Sequence, residues 1–478
     1  MDIAHPTVGF LRKPGRPSQR ELPSRRGYDI LSRIRHLSLA FAAATALAPP
    51  AYAAYRPTDP DPGGAHGDSY DVAEHDPPHC SAHFCVHWVT STDDAPELAD
   101  SDSDGVPDTV ERTASRFEQV RARENGAPPE GLGWREPKPD GGLGGLVDKT
   151  DVYIKNLHGG ALGIARGDGG SAADGSGSAT GYVLLERTLT RAGEERRLAD
   201  IAAHEYCHVL QYAYDAFSSG WLQESTATWM QDAAFPQLDL WPRVMPSWAA
   251  GTESALTQES PGKEYGAAVW NHWLAGRYGA EIVRNVWERS PKQDRPSQDA
   301  LLVYDAAIAG HGGRGFFDEF TRFAAALPEW RLPGNGFTDS SLLPDVERVA
   351  TLTPGDAPVE LSLRWDRFAL LDVPVGPAHA IKIEANLPEG KRGAIALVGR
   401  RGGGDAGSTV TRFLQLPAGG EGSVTLERPA GFERVTAVIV DAHLGAWDGP
   451  DTASARVVSL PNGAPTAAFG VAPEPALT

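Results

Sequence analysis

Leu198-Ala199-Asp200-Ile201-Ala202-Ala203-His204-Glu205-Tyr206-Cys207-His208-Val209-Leu210-Gln211-Tyr212-Ala213-Tyr214 is the stretch on which the reading of the whole chain turns. Neither Pro nor Gly interrupts it, and Ile201, Ala202, Val209 and Leu210 supply apolar positions, so the pattern predicts a helix. Residues four apart on a helix lie one turn above each other on one face, so His204 and His208 can aim two imidazole nitrogens at one point. Glu205 stands beside that point without being a ligand. Two neutral imidazoles for a metal, and a carboxylate to take a proton from its water, are what a zinc hydrolase needs.

Ser218, Ser219 and Gly220 mark a turn, and Trp221-Leu222-Gln223-Glu224-Ser225-Thr226-Ala227-Thr228-Trp229-Met230-Gln231-Asp232 predicts a second helix. A hairpin with so short a loop returns this helix against the first, where Glu224 can face the same metal. His, His and Glu is a common catalytic zinc set. On these residues, His204-Glu205-x-x-His208 and then Glu224 in a Trp221-Leu222-x-Glu224-Ser225-x-Ala227-x-Trp229 setting, the chain resembles the gluzincin (thermolysin-like) zinc metallopeptidases. It looks most like exported bacterial metalloproteases carrying HEYxH and WxxExxAxWM. The resemblance is fullest over Asp151 to Asp232.

The resemblance implies zinc ligation by His204, His208 and Glu224, with Glu205 as general base. It implies that the sheet edge before the metal helix pairs with extended peptide, so that Tyr182, Val183, Leu184 and Leu185 line the cleft. It also implies a tyrosine near a helix start as hydrogen-bond donor to the oxyanion; Tyr265 is the candidate and His272 the alternative. One position departs from the pattern. Thermolysin-like enzymes carry an Asp four residues after the ligand Glu to hold a ligand imidazole, and here Thr228 stands there. Asp200 and Asp232 are the candidates for that task.

Upstream, Val147 to Leu157 and Ala179 to Glu186 read as strands, and the Gly- and Ser-rich run Arg166 to Gly181 between them reads as a flexible connection. Asp100-Ser101-Asp102-Ser103-Asp104-Gly105-Val106-Pro107-Asp108-Thr109-Val110-Glu111 has the spacing of a calcium loop. Carboxylates of Asp100, Asp102, Asp104, Asp108 and Glu111 and the Val106 carbonyl would wrap a hard cation, with Gly105 at the sharp turn. The plainer alternative is a solvated acidic turn before an amphipathic helix, Thr109 to Glu124. Around Cys80 the chain alternates like a strand, with His83, Cys85 and His87 on one face and Phe84, Val86 and Trp88 on the other. Cys80 and Cys85 predict a small disulfide loop in an exported chain, a Cys/His metal site being the alternative; Cys207 is left as a small buried residue.

Downstream, Glu264 to Glu288 carries an apolar stripe at helical spacing, and Ala300 to Ile308 and Arg314 to Leu327 read as further helices. From Val359 onward, short β-forming runs separated by Gly- and Pro-rich turns predict a β-sandwich: Leu361–Trp365, Phe368–Val373, Ile381–Ala385, Ala394–Val398, Val410–Leu414, Val424–Leu426, Val435–Val440 and Ala455–Val458.

The chain has 478 residues, with 63 Asp and Glu against 44 Lys and Arg, a net charge of -19. Such a surface argues against nucleic acid, whose phosphates call for basic partners. Arg25, Arg26, Arg33 and Arg35 precede an apolar run, Leu37 to Leu47, and the small-x-small triplet Ala51-Tyr52-Ala53. That is the form of an export signal, and the run is too short to span a bilayer. The expected fold class is α+β: a gluzincin-like metalloprotease domain, with a mixed sheet edge, the HExxH helix and a helical subdomain, followed by a C-terminal β-sandwich. The expected segments are a signal peptide (1–53), a linker (54–78), the calcium loop and zinc helices (79–233), the helical subdomain (234–350), the accessory sandwich (357–460) and a disordered tail (461–478). The expected function is that of a secreted metallopeptidase acting on protein or peptide, with catalytic Zn2+, structural Ca2+, no nucleic acid and no transmembrane segment. The alternatives are an exported calcium-stabilised binding protein with a decayed protease domain, and a hydrolase of non-peptide amides.

Overall fold

The computed structural model describes residues 56–59, 68–145, 148–168, 177–251, 256–260, 262–290, 297–363, 366–444 and 451–461; for 145, 297–299, 406 and 451 it describes the backbone alone. The expected export signal and C-terminal tail lie outside these residues, apart from residue 461.

The first sheet is mixed and has the order β1-β2-β3-β5-β4. Its strands are β1 (His79–Cys80), β2 (Phe84–His87), β3 (Thr150–Lys155), β4 (Gly163–Asp168) and β5 (Thr180–Glu186). β2, β3 and β5 run parallel, while β1 and β4 are antiparallel to their neighbours. The β1–β2 pairing sets Cys80 opposite Cys85, and the two form a disulfide. Strand alternation sends Phe84, Val86, Val152, Ile154, Val183 and Leu185 to the helical side, where they join the main core. Tyr153, Tyr182 and Leu184 face the other way.

That other face corrects the expected linker. Arg56 is 1% exposed, donates to Asp168 at 2.8 and 3.2 Å and to Asp151, and forms an ion pair with Asp140 at 3.1 Å. Tyr70 donates to the Ile154 carbonyl at 2.8 Å, and His75 stacks on Trp88. A Pro-, Asp- and Gly-rich composition therefore conceals residues that close one side of the sheet.

Helix α1 (Asp108–Glu124) buries Val110, Ala114, Phe117 and Val120, one face at helical spacing, against β2 and the metal-motif helix. That helix, α2 (Glu195–Tyr214), is buried almost all round from Leu198 onward and packs on β4, β5 and α1. α3 (Gly220–Ala234) returns along it as a hairpin. The remaining helices are α4 (Met245–Ala249), α5 (Lys263–Gly266), α6 (Ala268–Tyr278), α7 (Glu281–Glu288), α8 (Ser297–Gly310) and α9 (Phe316–Ala326). The stripe expected as one helix over Glu264 to Glu288 is thus three pieces. Gly279 ends α6 at a φ of +90°, a conformation that no ordinary side chain adopts without strain.

The C-terminal strands are β6 (Ala350–Thr351), β7 (Val359–Leu363), β8 (Arg367–Val373), β9 (Ala380–Leu387), β10 (Gly393–Arg400), β11 (Thr409–Leu416), β12 (Gly420–Glu427), β13 (Arg434–Asp441) and β14 (Asp451–Leu460). They form two sheets, β11-β10-β13-β8-β6 and β12-β9-β14-β7, antiparallel except for the short β6–β8 pair. The first sheet is covered on both faces. Ala369, Leu371, Ile395, Leu397, Ala437 and Ile439 point into the sandwich, while Phe368, Leu370, Ala394, Ala396, Val438 and Val440 join the core of the helices. Double coverage explains why these strands read as nearly unbroken apolar runs. Glu329, 4% exposed, accepts from Arg434 at 2.9 Å and from Arg400 at 3.3 Å across that seam. Among the described residues no helix is long and apolar enough to cross a membrane.

Candidate metal centre

The α2–α3 hairpin brings three ligand-type atoms together. Glu224 Oε2 lies 3.1 Å from His204 Nε2 and 3.5 Å from His208 Nε2, and the two imidazole rings stand 4.8 Å apart at 82°. His204, His208 and Glu224 are each less than 10% exposed. Such a buried His, His and Glu group can hold a metal ion.

The far nitrogens of both rings are engaged. His208 Nδ1 meets Gln211 Oε1 at 2.8 Å, and Gln211 in turn donates to the Gln223 carbonyl at 3.0 Å. His204 Nδ1 meets Gln231 Oε1 at 3.3 Å, and Gln231 bonds to Asp200. In the neutral ring, an Nδ1–H donated to an amide oxygen leaves the Nε2 lone pair toward the ligand cluster. The expected holders, Asp200 and Asp232, are therefore corrected: Asp200 hydrogen-bonds Gln231 and reaches His204 only through its charge, and Asp232 sits elsewhere. Sequence reasoning missed both glutamines. Gln211 follows His208 by three residues and Gln231 follows Glu224 by seven, both same-face helical spacings. That is the one signal that points to them. Thr228 is buried and its hydroxyl has no hydrogen-bond partner.

Glu205 is 6% exposed and lies against β4. A Cβ on Gly163 would come within 2.4 Å of Glu205 Cγ, so only glycine admits the carboxylate at this distance. The Ala165 backbone N–H donates to it. Burial raises the Glu205 pKa, partly offset by the two histidines. Burial likewise opposes charge on Glu224 and His208, but each is the other's counter-ion. Glu224 is held well below the usual carboxylate range, and His208 is pushed up to about 9. Tyr265 stacks on His204, with ring centroids 5.8 Å apart, and its hydroxyl bonds to Glu224. Burial, with Glu224 and Glu205 nearby, keeps it a phenol. His272 instead stacks on Trp241 at 4.0 Å.

The expected cleft lining needs correction. Tyr182, Val183, Leu184 and Leu185 are fully buried on an inner strand, and the sheet edge is β4, Gly163 to Asp168. The Gly- and Ser-rich run taken as flexible thus begins inside a strand.

At the acidic loop, carboxylates of Asp100, Asp102 and Asp104 converge. Asp100 accepts from the Ser103 and Gly105 backbone N–H groups at 2.7 and 2.9 Å, and Asp104 from that of Val106 at 2.8 Å. Asp108 does not join them; its carboxylate accepts from the backbone and hydroxyl of Ser101 at 2.9 and 3.0 Å. Glu111 is close enough for Asp104, Asp102 and Asp108 to add to the desolvation that raises its pKa.

Among solved structures, the chain is similar to a pre-peptidase C-terminal domain of a collagenase from Bacillus anthracis. The identity is 13% over 24% of this chain and 99% of that one, with a TM-score of 0.18. It is also similar to BtGH115A, a family GH115 4-O-methyl-α-glucuronidase with specificity for decorated arabinogalactans, at 8% identity over 56% of this chain and 38% of that one, with a TM-score of 0.15. Both likenesses are too slight to bear on fold or activity. No curated protein matches the chain. A family model described as a family of unknown function, DUF6055, matches residues 188–338, the span that carries both metal-centre helices.

Proposed function

We propose that the chain is a zinc-dependent peptidase. The observation that carries this reading is the buried convergence of His204, His208 and Glu224, with Glu205 beside them and wedged against an edge strand. A zinc ion held by the three would supply an acidified water and a Lewis acid for the scissile carbonyl. Glu205 takes up the proton released as the carbonyl carbon is attacked, and hands it to the leaving amine. Its raised pKa suits a group that must both accept and return a proton. The Tyr265 hydroxyl, now on Glu224, is the donor for the developing oxyanion. Extended peptide pairs with the outer edge of β4; what supports this is that β4 ends the sheet and touches Glu205. The same reading makes the chain an exported protein whose loop from Asp100 to Glu111 holds a structural calcium ion, supported by the convergence of Asp100, Asp102 and Asp104.

The test is a digestion of a mixed-peptide pool, followed by mass spectrometry. The zinc-loaded chain is expected to cleave peptide bonds, a chelator to stop it and added zinc to restore it. A fully zinc-loaded chain that leaves every peptide intact would sink the proposal.

A further inference from the structure

The edge strand β4 turns its backbone outward at three small residues. The Glu186 N–H donates to the Leu162 carbonyl at 2.9 Å, and the β4–β5 register sets Gly163 opposite Leu185, Ala165 opposite Val183 and Gly167 opposite Gly181. In an antiparallel pair, alternate residues bond to the neighbouring strand and those between them do not. Counted from the Leu162–Glu186 pair, Ile164, Arg166 and Asp168 bond to β5, while Gly163, Ala165 and Gly167 aim their N–H and C=O groups away from it. Among the described residues β4 has no neighbouring strand on that side. These are the groups that an added strand would use.

At Ala165 both groups are taken, and both by α2. The N–H donates to Glu205, and the carbonyl accepts from the Tyr212 hydroxyl at 3.2 Å. Tyr212 follows His208 by one helical repeat of four residues, so it stands on the same side of α2 as the metal-centre histidines. Its ring lies over the paired glycines of the two strands. A Cβ on Gly181 would come within 2.8 Å of Tyr212 Cδ2, and one on Gly167 within 3.7 Å. Glycine at 181 therefore gives the ring its seat. Tyr212 is only half-buried, so its hydroxyl can exchange the carbonyl for water.

We propose that Tyr212 gates the docking of peptide on β4. The inference rests on the peptidase reading and adds the residue that controls access to the same edge. Glu205 keeps the Ala165 N–H, because hydrolysis needs the carboxylate beside the metal centre. The carbonyl is then the one Ala165 group open to a peptide, and it takes a peptide N–H in place of the Tyr212 hydroxyl. Peptide and hydroxyl compete for one oxygen, and the hydroxyl moves off as the strand is added.

The test is peptide binding to the full chain with zinc held off by phenanthroline, so that bound peptide stays uncut. The probe is a short blocked peptide of alternating threonine and valine, residues that favour the extended form, carrying a fluorophore and read by polarisation. Tyr212→Phe leaves the ring on its glycines and removes the hydroxyl alone. It is expected to bind the probe about threefold to tenfold tighter than the parent, the range that one hydrogen bond's net contribution sets. A hydroxyl that only stiffened β4 would give the opposite sign, or no change, when removed. Equal or weaker binding by the variant, or no binding to either chain, would overturn the proposal. Cleavage by the zinc-loaded parent is read separately in the digestion, so failure of the gate and failure of the peptidase reading are told apart.

Discussion

Gln211 and Gln231 show what a single side chain does at this centre. Each takes an Nδ1–H and so fixes which imidazole nitrogen faces the ligand cluster. Gln211→Leu is expected to keep the fold and to weaken zinc binding about 10–100-fold, measured by competition with a chromophoric chelator. Unchanged affinity would remove Gln211 from the account. His208, with a pKa of about 9 in the metal-free site, holds a proton that zinc must displace. Apparent zinc affinity is therefore expected to rise between pH 6 and 8, by roughly tenfold per unit for one proton released. Glu124 offers a contrasting case. It is fully buried, neither oxygen has a partner, and burial raises its pKa well above the ordinary range. The folded chain must therefore keep a proton that the unfolded chain gives up, and stability falls as pH climbs above the unfolded value. Glu124→Met is expected to gain about 1–3 kcal/mol at pH 7 in urea denaturation. Most of that gain should vanish below about pH 4. His204, His208 and Glu224 were legible in the chain because local helical spacing brings them together. The glutamines were not, since an amide carries no chemistry until a ring stands beside it.

At the scale of elements, the strand that matters most was the least visible. β4 reads Gly-Ile-Ala-Arg-Gly-Asp, and its glycines and charges argue against a strand. Its order comes from outside: the full register with β5, Arg56 on Asp168, and the Tyr212 hydroxyl on the Ala165 carbonyl at 3.2 Å. Gly163 then lets Glu205 lie against it. Gly163→Ala is expected to displace the Glu205 carboxylate, leaving zinc content intact while slowing hydrolysis on the order of 100-fold. Parental rates from that variant would show that β4 does not position Glu205. The eight expected sandwich strands, by contrast, each correspond to an observed strand, because short β-forming runs and the Gly- and Pro-rich turns between them are encoded locally.

For the molecule as a whole, the sandwich is not a tethered accessory. Phe368 packs on Trp248, Phe320 and Phe323 with ring centroids 6.0–6.2 Å apart, and one apolar core runs from the first sheet through the helices into β8, β10 and β13. Calorimetry is expected to show one unfolding transition for these parts. Phe368→Ala should lower it as a unit, at a cost of about 3–5 kcal/mol; two separate transitions would contradict the shared core. This docking was hidden because an unbroken apolar run says that both faces of a strand are covered, but not which element covers the second one. Arg56 was hidden because its partners lie at Asp140, Asp151 and Asp168, far along the chain. The central proposal is that the His204, His208 and Glu224 centre performs hydrolysis through Glu205. The most direct test compares Glu205→Gln with the parent at equal, independently measured zinc occupancy, in the same peptide digestion. The account predicts a full complement of zinc in the variant and no detectable cleavage. Cleavage at the parental rate would contradict it.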